Sequence, residues 1–126
     1  MIDAAVLEKG TGVLVNGRSC MLQNATFLLF LRLAVHARRP VPWRTRAELH
    51  LRKRSNQPSR LRVALAPALP RDFQLIVGDR AGRFSINRLV LIDIDWCELV
   101  GHGDDGVAAL ALAELAKGRK ADLSTP

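Results

Sequence analysis

Short apolar runs open the chain, a helix-period pattern follows, and strand-like runs return after residue 73. Ala4 to Leu7, Val13 to Val15 and Cys20 to Leu22 are brief apolar runs between turn residues, and they predict a small antiparallel sheet. Asn16-Gly17 supplies the two positive-φ positions that a type I′ hairpin needs. Glu8 to Gly12 reads as the turn between the first two strands.

From Ala25 to about Ala37 the residues favour helix and are apolar nearly all round, the pattern of a central helix covered on several sides. Asn24 is its candidate N-cap, and Arg39-Pro40-Val41-Pro42 must end it. Thr45 is placed to cap a second helix running to about Leu51, with Ala47, Leu49 and Leu51 as apolar contacts. A short basic loop, Arg52 to Asn56, leads to a third helix with Pro58 in its first turn, where the missing N–H is no loss. Leu61, Ala64 and Leu65 form one stripe for burial, and Ser59, Arg60, Arg62 and, less favourably, Val63 lie away from it. Pro67 and Pro70 close the helix.

Gln74 to Val77 and Arg83 to Asn87 are β-prone runs joined by residues 78 to 82, a hairpin with a basic, exposed tip. Leu89 to Ile94 extends or edges the sheet, and Asp95 to Val100 suits either a strand end or a short helix. Gly101 to Gly106 reads as a loop, Val107 to Lys117 as an alanine- and leucine-rich helix, and the last residues as frayed. The predicted class is α+β: a small amino-terminal antiparallel sheet, a three-helix bundle, a carboxyl-terminal β-hairpin and a helical extension. Residues 1–90 are expected to form one domain and residues 91–126 its extension.

Composition changes this picture little until charge is mapped onto it. With 126 residues, 48% of them hydrophobic, the chain can bury a core without metal or disulfide staples, and a wholly disordered chain is excluded. The apolar run Phe27 to Leu31 is too short to cross a bilayer, and no secretory leader pattern is present. Cys20 and Cys97 show no metal-ligand spacing and fit free buried thiols in a reducing cytoplasm.

The net charge of +7 is not diffuse. Residues 38 to 62 carry nine basic side chains (Arg38, Arg39, Arg44, Arg46, Arg52, Lys53, Arg54, Arg60 and Arg62) against Glu48 alone, a net of +8. The rest of the chain is therefore close to −1, and residues 93 to 114 hold six acids and no Lys or Arg. The bland account of such a cluster is a solvated face. Its coincidence with a helix, a tight turn and an arginine-bearing helix predicts a helix-turn-helix followed by a basic wing. A helix fits the major groove, arginine can pair bidentately with guanine, and basic loops neutralise phosphates. The DNA-contacting residues expected on this basis are Arg44, Arg46, Arg52, Lys53, Arg54, Gln57, Ser59, Arg60 and Arg62, with Arg80 and Arg83 on the wing near the minor groove.

The segment GVLVNGRSCMLQNATFLLFLRLAVHARRPVPWRTRAEL resembles the winged-helix output domains of OmpR-type response regulators. SRLR at Ser59 to Arg62 is similar to the core of that family's recognition helix, and Arg80 to Ile86 to its wing. IDIDWCELV at Ile92 to Val100 is similar to the segment after the wing in related activators of antibiotic pathways. The likeness covers about residues 4 to 90 well and 91 to 100 weakly. It implies a winged helix-turn-helix in which Ser59, Arg60 and Arg62 face DNA and Arg80 lies on the wing. The loop before SRLR is shorter than the family's, and Gly82-Arg83-Phe84 departs from its glycine-aromatic wing pattern.

Other chemistry is poorly supported by spacing. Gly101 to Gly106 satisfies GxGxxG after an aliphatic run, but no second parallel strand follows, and Asp104 and Asp105 would repel a pyrophosphate. Asp93, Asp95, Asp104 and Asp105 lack the spacing of a cation loop, and His36, His50 and His102 are far apart. His102 beside Cys97 is a weak pairing. Trp43 and Trp96 fit core or edge packing, and without tyrosine the stacking surface of a single-strand binder is missing. No catalytic residue, metal or cofactor is expected, and the chain is not read as an enzyme. The expected function is sequence-specific binding of double-stranded DNA by a cytoplasmic transcription regulator, without membrane contact. The alternative is a winged-helix interaction module that binds a partner, or a second copy, through residues 101–126.

Overall fold

The short apolar runs at the amino terminus do form strands. The computed structural model describes residues 2–7, 10–37, 39–79 and 81–123, with side chains through Lys117. Strand β1 (Ile2–Val6) buries Ile2 and Ala4 and exposes Asp3 between them. β2 (Gly12–Val15) buries Val13 and Val15, and β3 (Arg18–Met21) returns antiparallel with Val15 opposite Arg18. The two-residue loop between them has φ of 47° at Asn16 and 85° at Gly17, as a type I′ turn requires. Asn16 also ties this hairpin to β1, because its side-chain oxygen accepts the Asp3 N–H at 3.0 Å.

Helix α1 (Asn24–His36) lies at the centre, with Thr26, Phe27, Leu29, Phe30, Leu31 and Leu33 buried. Its N-cap is Gln23, in extended geometry, so Asn24 begins the helix instead of capping it. Arg32 is drawn into this packing: Nη1 donates to the Leu49 carbonyl at 3.3 Å, and burial lowers its pKa.

The second predicted helix is a single turn. Thr45 Oγ1 accepts the Glu48 N–H at 3.2 Å while Glu48 Oε1 accepts the Thr45 N–H at 3.1 Å, a reciprocal capping box. The turn then closes at once. His50 has φ 57°, its N–H donates to Ala47, and the Leu51 N–H donates to Arg46, the paired bonds of a Schellman ending. A start signal at Thr45 and a stop signal at His50 leave room for one turn only, although Leu49 is still buried. The expected three-helix bundle is corrected accordingly.

Helix α2 (Gln57–Leu65) has Pro58 in its first turn and buries Leu61 and Leu65. A 3₁₀ turn over Ala66–Ala68 ends it. β4 (Ile76–Gly78) and β5 (Phe84–Ile86) form the second hairpin, Ile76 opposite Ile86. The backbone of Arg44 bonds the free side of β5, donating to and accepting from Phe84 at 2.9 and 2.8 Å.

β6 (Val90–Asp93) joins the first sheet, not the hairpin. It pairs parallel with β1, Ile2 opposite Val90, giving the order β3-β2-β1-β6 and a mixed sheet where an antiparallel one was expected. That sheet therefore runs across the boundary expected between residues 90 and 91. Asp95 caps the short helix α3 (Trp96–Leu99), its carboxylate accepting the Cys97 N–H. Asp104 caps α4 (Asp105–Leu123) through the Val107 N–H at 3.1 Å. α4 continues beyond the expected end at Lys117, since no proline interrupts it before residue 126. Val107 and Ala111 of α4 join the core. Cys20 is buried as expected, but Cys97 is exposed because α3 turns it outward. No helix among the described residues is long and apolar enough to cross a membrane.

Candidate nucleic-acid interface

The basic segment is divided by the fold into side chains committed to the protein and side chains turned to solvent. Arg52, Lys53 and Arg54 follow the capped turn, are exposed, and make no side-chain hydrogen bond or ion pair among the described residues. They sit where the chain enters α2. Three unneutralised cations in succession are held apart from acids, with Glu48 occupied by Thr45 and Arg44. The Thr45 backbone N–H, ahead of the nearby Arg44 charge, lowers the Glu48 pKa and keeps that side chain anionic.

On α2 the helical period decides what is presented. Leu61 and Leu65 face the core, while Ser59, Arg60, Arg62 and Val63 are exposed. Arg60 Nη1 donates to Gln23 Oε1 at 3.3 Å, a contact on the surface that leaves its remaining donors available. Arg62 leans to the other flank, where Nη2 donates to the Ile76 carbonyl at 3.2 Å. It thereby links α2 to the hairpin. Gln57 turns inward: its Oε1 accepts the hydroxyl of buried Thr26 at 2.6 Å, so its carbonyl oxygen joins α1 to α2.

Arg44 and Arg46 are also engaged. Arg44 donates to the Trp43 carbonyl and lies 3.8 Å from Glu48. Arg46 donates to the Ser55 carbonyl at 2.9 Å, and its guanidinium stands 5.2 Å from the centre of the Phe84 ring. This cation–π contact fixes the capped turn against β5.

At the hairpin tip the Asp79 carboxylate accepts the Ala81 and Arg83 N–H groups and pairs with the Arg83 guanidinium. Those bonds, the Arg83 N–H foremost, lower the Asp79 pKa. Arg83 is thus half of an internal ion pair rather than a bare charge. Arg80, Arg38 and the turn residues Glu8 and Lys9 lie outside the described residues.

Sequence reasoning undervalued two residues beside this face. Met21 is 67% exposed at the end of β3, and Val63 is 73% exposed on α2. With Gln23, Ser59, Arg60 and Ala64 they line a groove of about 470 Å³ between β3 and α2. The exposed ends of apolar residues are a weak signal in a sequence, because isolated exposed apolar side chains are common.

The glycine loop is accounted for by packing. The Asp104 carboxylate occupies the amino terminus of α4, where an anion would otherwise bind. A Cβ at Gly106 would meet Leu28 Cδ2 at 2.9 Å. The His102 ring stacks on Phe27, Nδ1 accepts the Asp104 N–H, and Nε2 lies 2.6 Å from the Gly10 carbonyl, so the ring ties the glycine loop to α1 and to the turn before β2. No group of three His, Cys, Asp or Glu side chains among the described residues could hold a metal ion. Comparison of the chain with protein-family models, curated proteins and solved structures returns no match.

Proposed function

We propose that this chain binds double-stranded DNA sequence-specifically as a transcription regulator, laying α2 in the major groove and the β4–β5 hairpin near the minor groove. The observation that carries this reading is the open face of α2 directly after three exposed cations, Arg52, Lys53 and Arg54. A short helix with one buried seam and a basic approach has the shape and charge that a duplex groove accepts. The finer architecture proposed is a winged helix-turn-helix of OmpR type, with the capped turn at Thr45 to His50 standing where the second helix was expected. Within it Arg60 reads bases, Arg52, Lys53 and Arg54 neutralise phosphates, and Arg44, Arg46, Gln57 and Arg62 position α2 and the hairpin. No catalytic group is assigned.

Titration of duplex DNA at several salt concentrations tests this reading. Affinity should fall steeply with salt, and replacing Arg52, Lys53 and Arg54 by alanine should lower the logarithmic slope by about one per residue. Arg60→Ala should weaken site preference more than it changes the slope. A flat salt response would overturn the proposal.

A second reading rests on α4. Leu112 is 61% exposed, and Ala109, Ala113 and Ala116 are exposed near it. Such a helix suits pairing with a partner or a second copy. Sedimentation of the full chain and of Leu112→Glu, in the absence of DNA, separates the readings, since only this one makes assembly depend on the exposed face of α4.

A further inference from the structure

We infer that Val63 reads the C5-methyl group of a thymine in the major groove, next to the base pair contacted by Arg60. The inference rests on the major-groove reading of α2 and adds a chemical class of target site to it.

The position of Val63 carries the argument. Leu61 and Leu65 define the buried seam of α2 and are 0% exposed. Each is two residues from Val63, about 200° of helical rotation, so Val63 points almost directly away from the core. It is 73% exposed there. Valine is a mediocre helix former, and among the described residues it is not packed against the core. Its neighbours on the open face are Ser59, one turn earlier, and Arg60. An apolar, branched side chain at the centre of an otherwise polar and cationic face is poorly matched to phosphates. It is well matched to the one apolar group that base edges present in the major groove, the thymine methyl.

Spacing along the axis sets where that thymine lies. Arg60 and Val63 are three residues apart, about 4.5 Å of rise, which is little more than one base-pair step of about 3.4 Å. The site is therefore expected to hold a thymine one or two steps from the guanine bound by Arg60. Met21 lines the same groove as Val63 and extends the apolar surface there.

The full chain is first used to select bound sequences from a random duplex pool. Each thymine of the selected site is then replaced singly by deoxyuridine, which removes only the methyl group. Wild-type protein should lose about fourfold in affinity at one position, the worth of a single buried methyl-sized group. Val63→Ala should bind the thymine and deoxyuridine duplexes equally, and Val63→Ile should keep the discrimination. Val63 is too exposed for either change to unfold the protein, which thermal unfolding of both variants checks. Specific binding with no deoxyuridine effect overturns this inference and leaves the DNA reading standing. A deoxyuridine effect that persists in Val63→Ala assigns the methyl to another residue and also overturns it. Recovery of no preferred duplex removes both, and a loss of binding to a protein partner in Val63→Ala would then identify the groove as a protein contact.

Discussion

α1 and α2 pack against each other, yet one is covered on nearly all sides and the other along a single seam. α1 buries six of its thirteen residues, and its one arginine, Arg32, bends back to a backbone carbonyl with a lowered pKa caused by burial. α2 buries only Pro58, Leu61 and Leu65, and its polar side chains divide between the protein and solvent. The difference teaches that helices of the same bundle can have opposite duties. α1 puts Phe27, Leu29, Phe30, Leu31 and Leu33 into the core and stabilises the fold mostly through apolar area removed from water. α2 borrows that stability to hold an open face in place.

The largest test of this contrast is truncation inside α1. Phe30→Ala should cost about 3–5 kcal/mol, because Phe30 is fully buried and a cavity would remain. Chemical denaturation measures it, and a loss below 1 kcal/mol would deny α1 its central role. Gln57→Ala comes next, at about 1–2 kcal/mol, since it leaves the buried Thr26 hydroxyl without its acceptor. Its effect on duplex affinity at saturating folded protein should be smaller than that of Arg60→Ala, and the reverse order would return Gln57 to the DNA face.

The capped turn between the helices offers a third test. Thr45→Ala removes half of the capping box and should cost about 1 kcal/mol, with faster amide exchange at Glu48. An unchanged exchange rate would mean that Arg46 and Leu49 hold the turn without it. The fourth test uses pH. His36 ends α1 with Nδ1 buried and unbonded among the described residues, and burial, with the charges of Arg44, Arg39 and Lys117, lowers its pKa against the opposing pull of Glu114. The folded chain thus takes up this proton less readily than the unfolded chain. Stability should fall as pH drops below the ordinary histidine value of about 6.5 towards the lowered one. His36→Gln should flatten that decline in denaturation midpoints, while α2, which has no acid or histidine, should not contribute to it. The smallest effect belongs to Val63→Ala, within about 0.5 kcal/mol of wild type in stability despite the loss of two methyl groups.

Much of this arrangement is legible in the chain. Asn16-Gly17 marks its hairpin, the continuous apolar run marks α1, and the Leu61–Leu65 spacing marks the seam of α2. These are short-range features, governed by φ preference and by the periods of helix and strand. The second helix is cut to one turn because Thr45 and Glu48 are a true start signal, while the stop depends on a positive φ at His50 that no glycine announces. The candidate interface divides in the same way. The basic loop and the open face of α2 follow from charge and period, but the orientations of Gln57, Arg46 and Arg62 do not.

The sequence by itself determined most of the strands, helices α1 and α2, and the concentration of positive charge around α2. Tertiary structure decided that β6 crosses to pair with β1, and which cations are left exposed. Arg62 finds its acceptor fourteen residues away and Arg18 finds Pro67 forty-nine residues away. Local propensity cannot choose such partners, because a guanidinium bonds whichever carbonyl the packed core brings within about 3 Å. The charge was written in the chain, and packing decided where it could act.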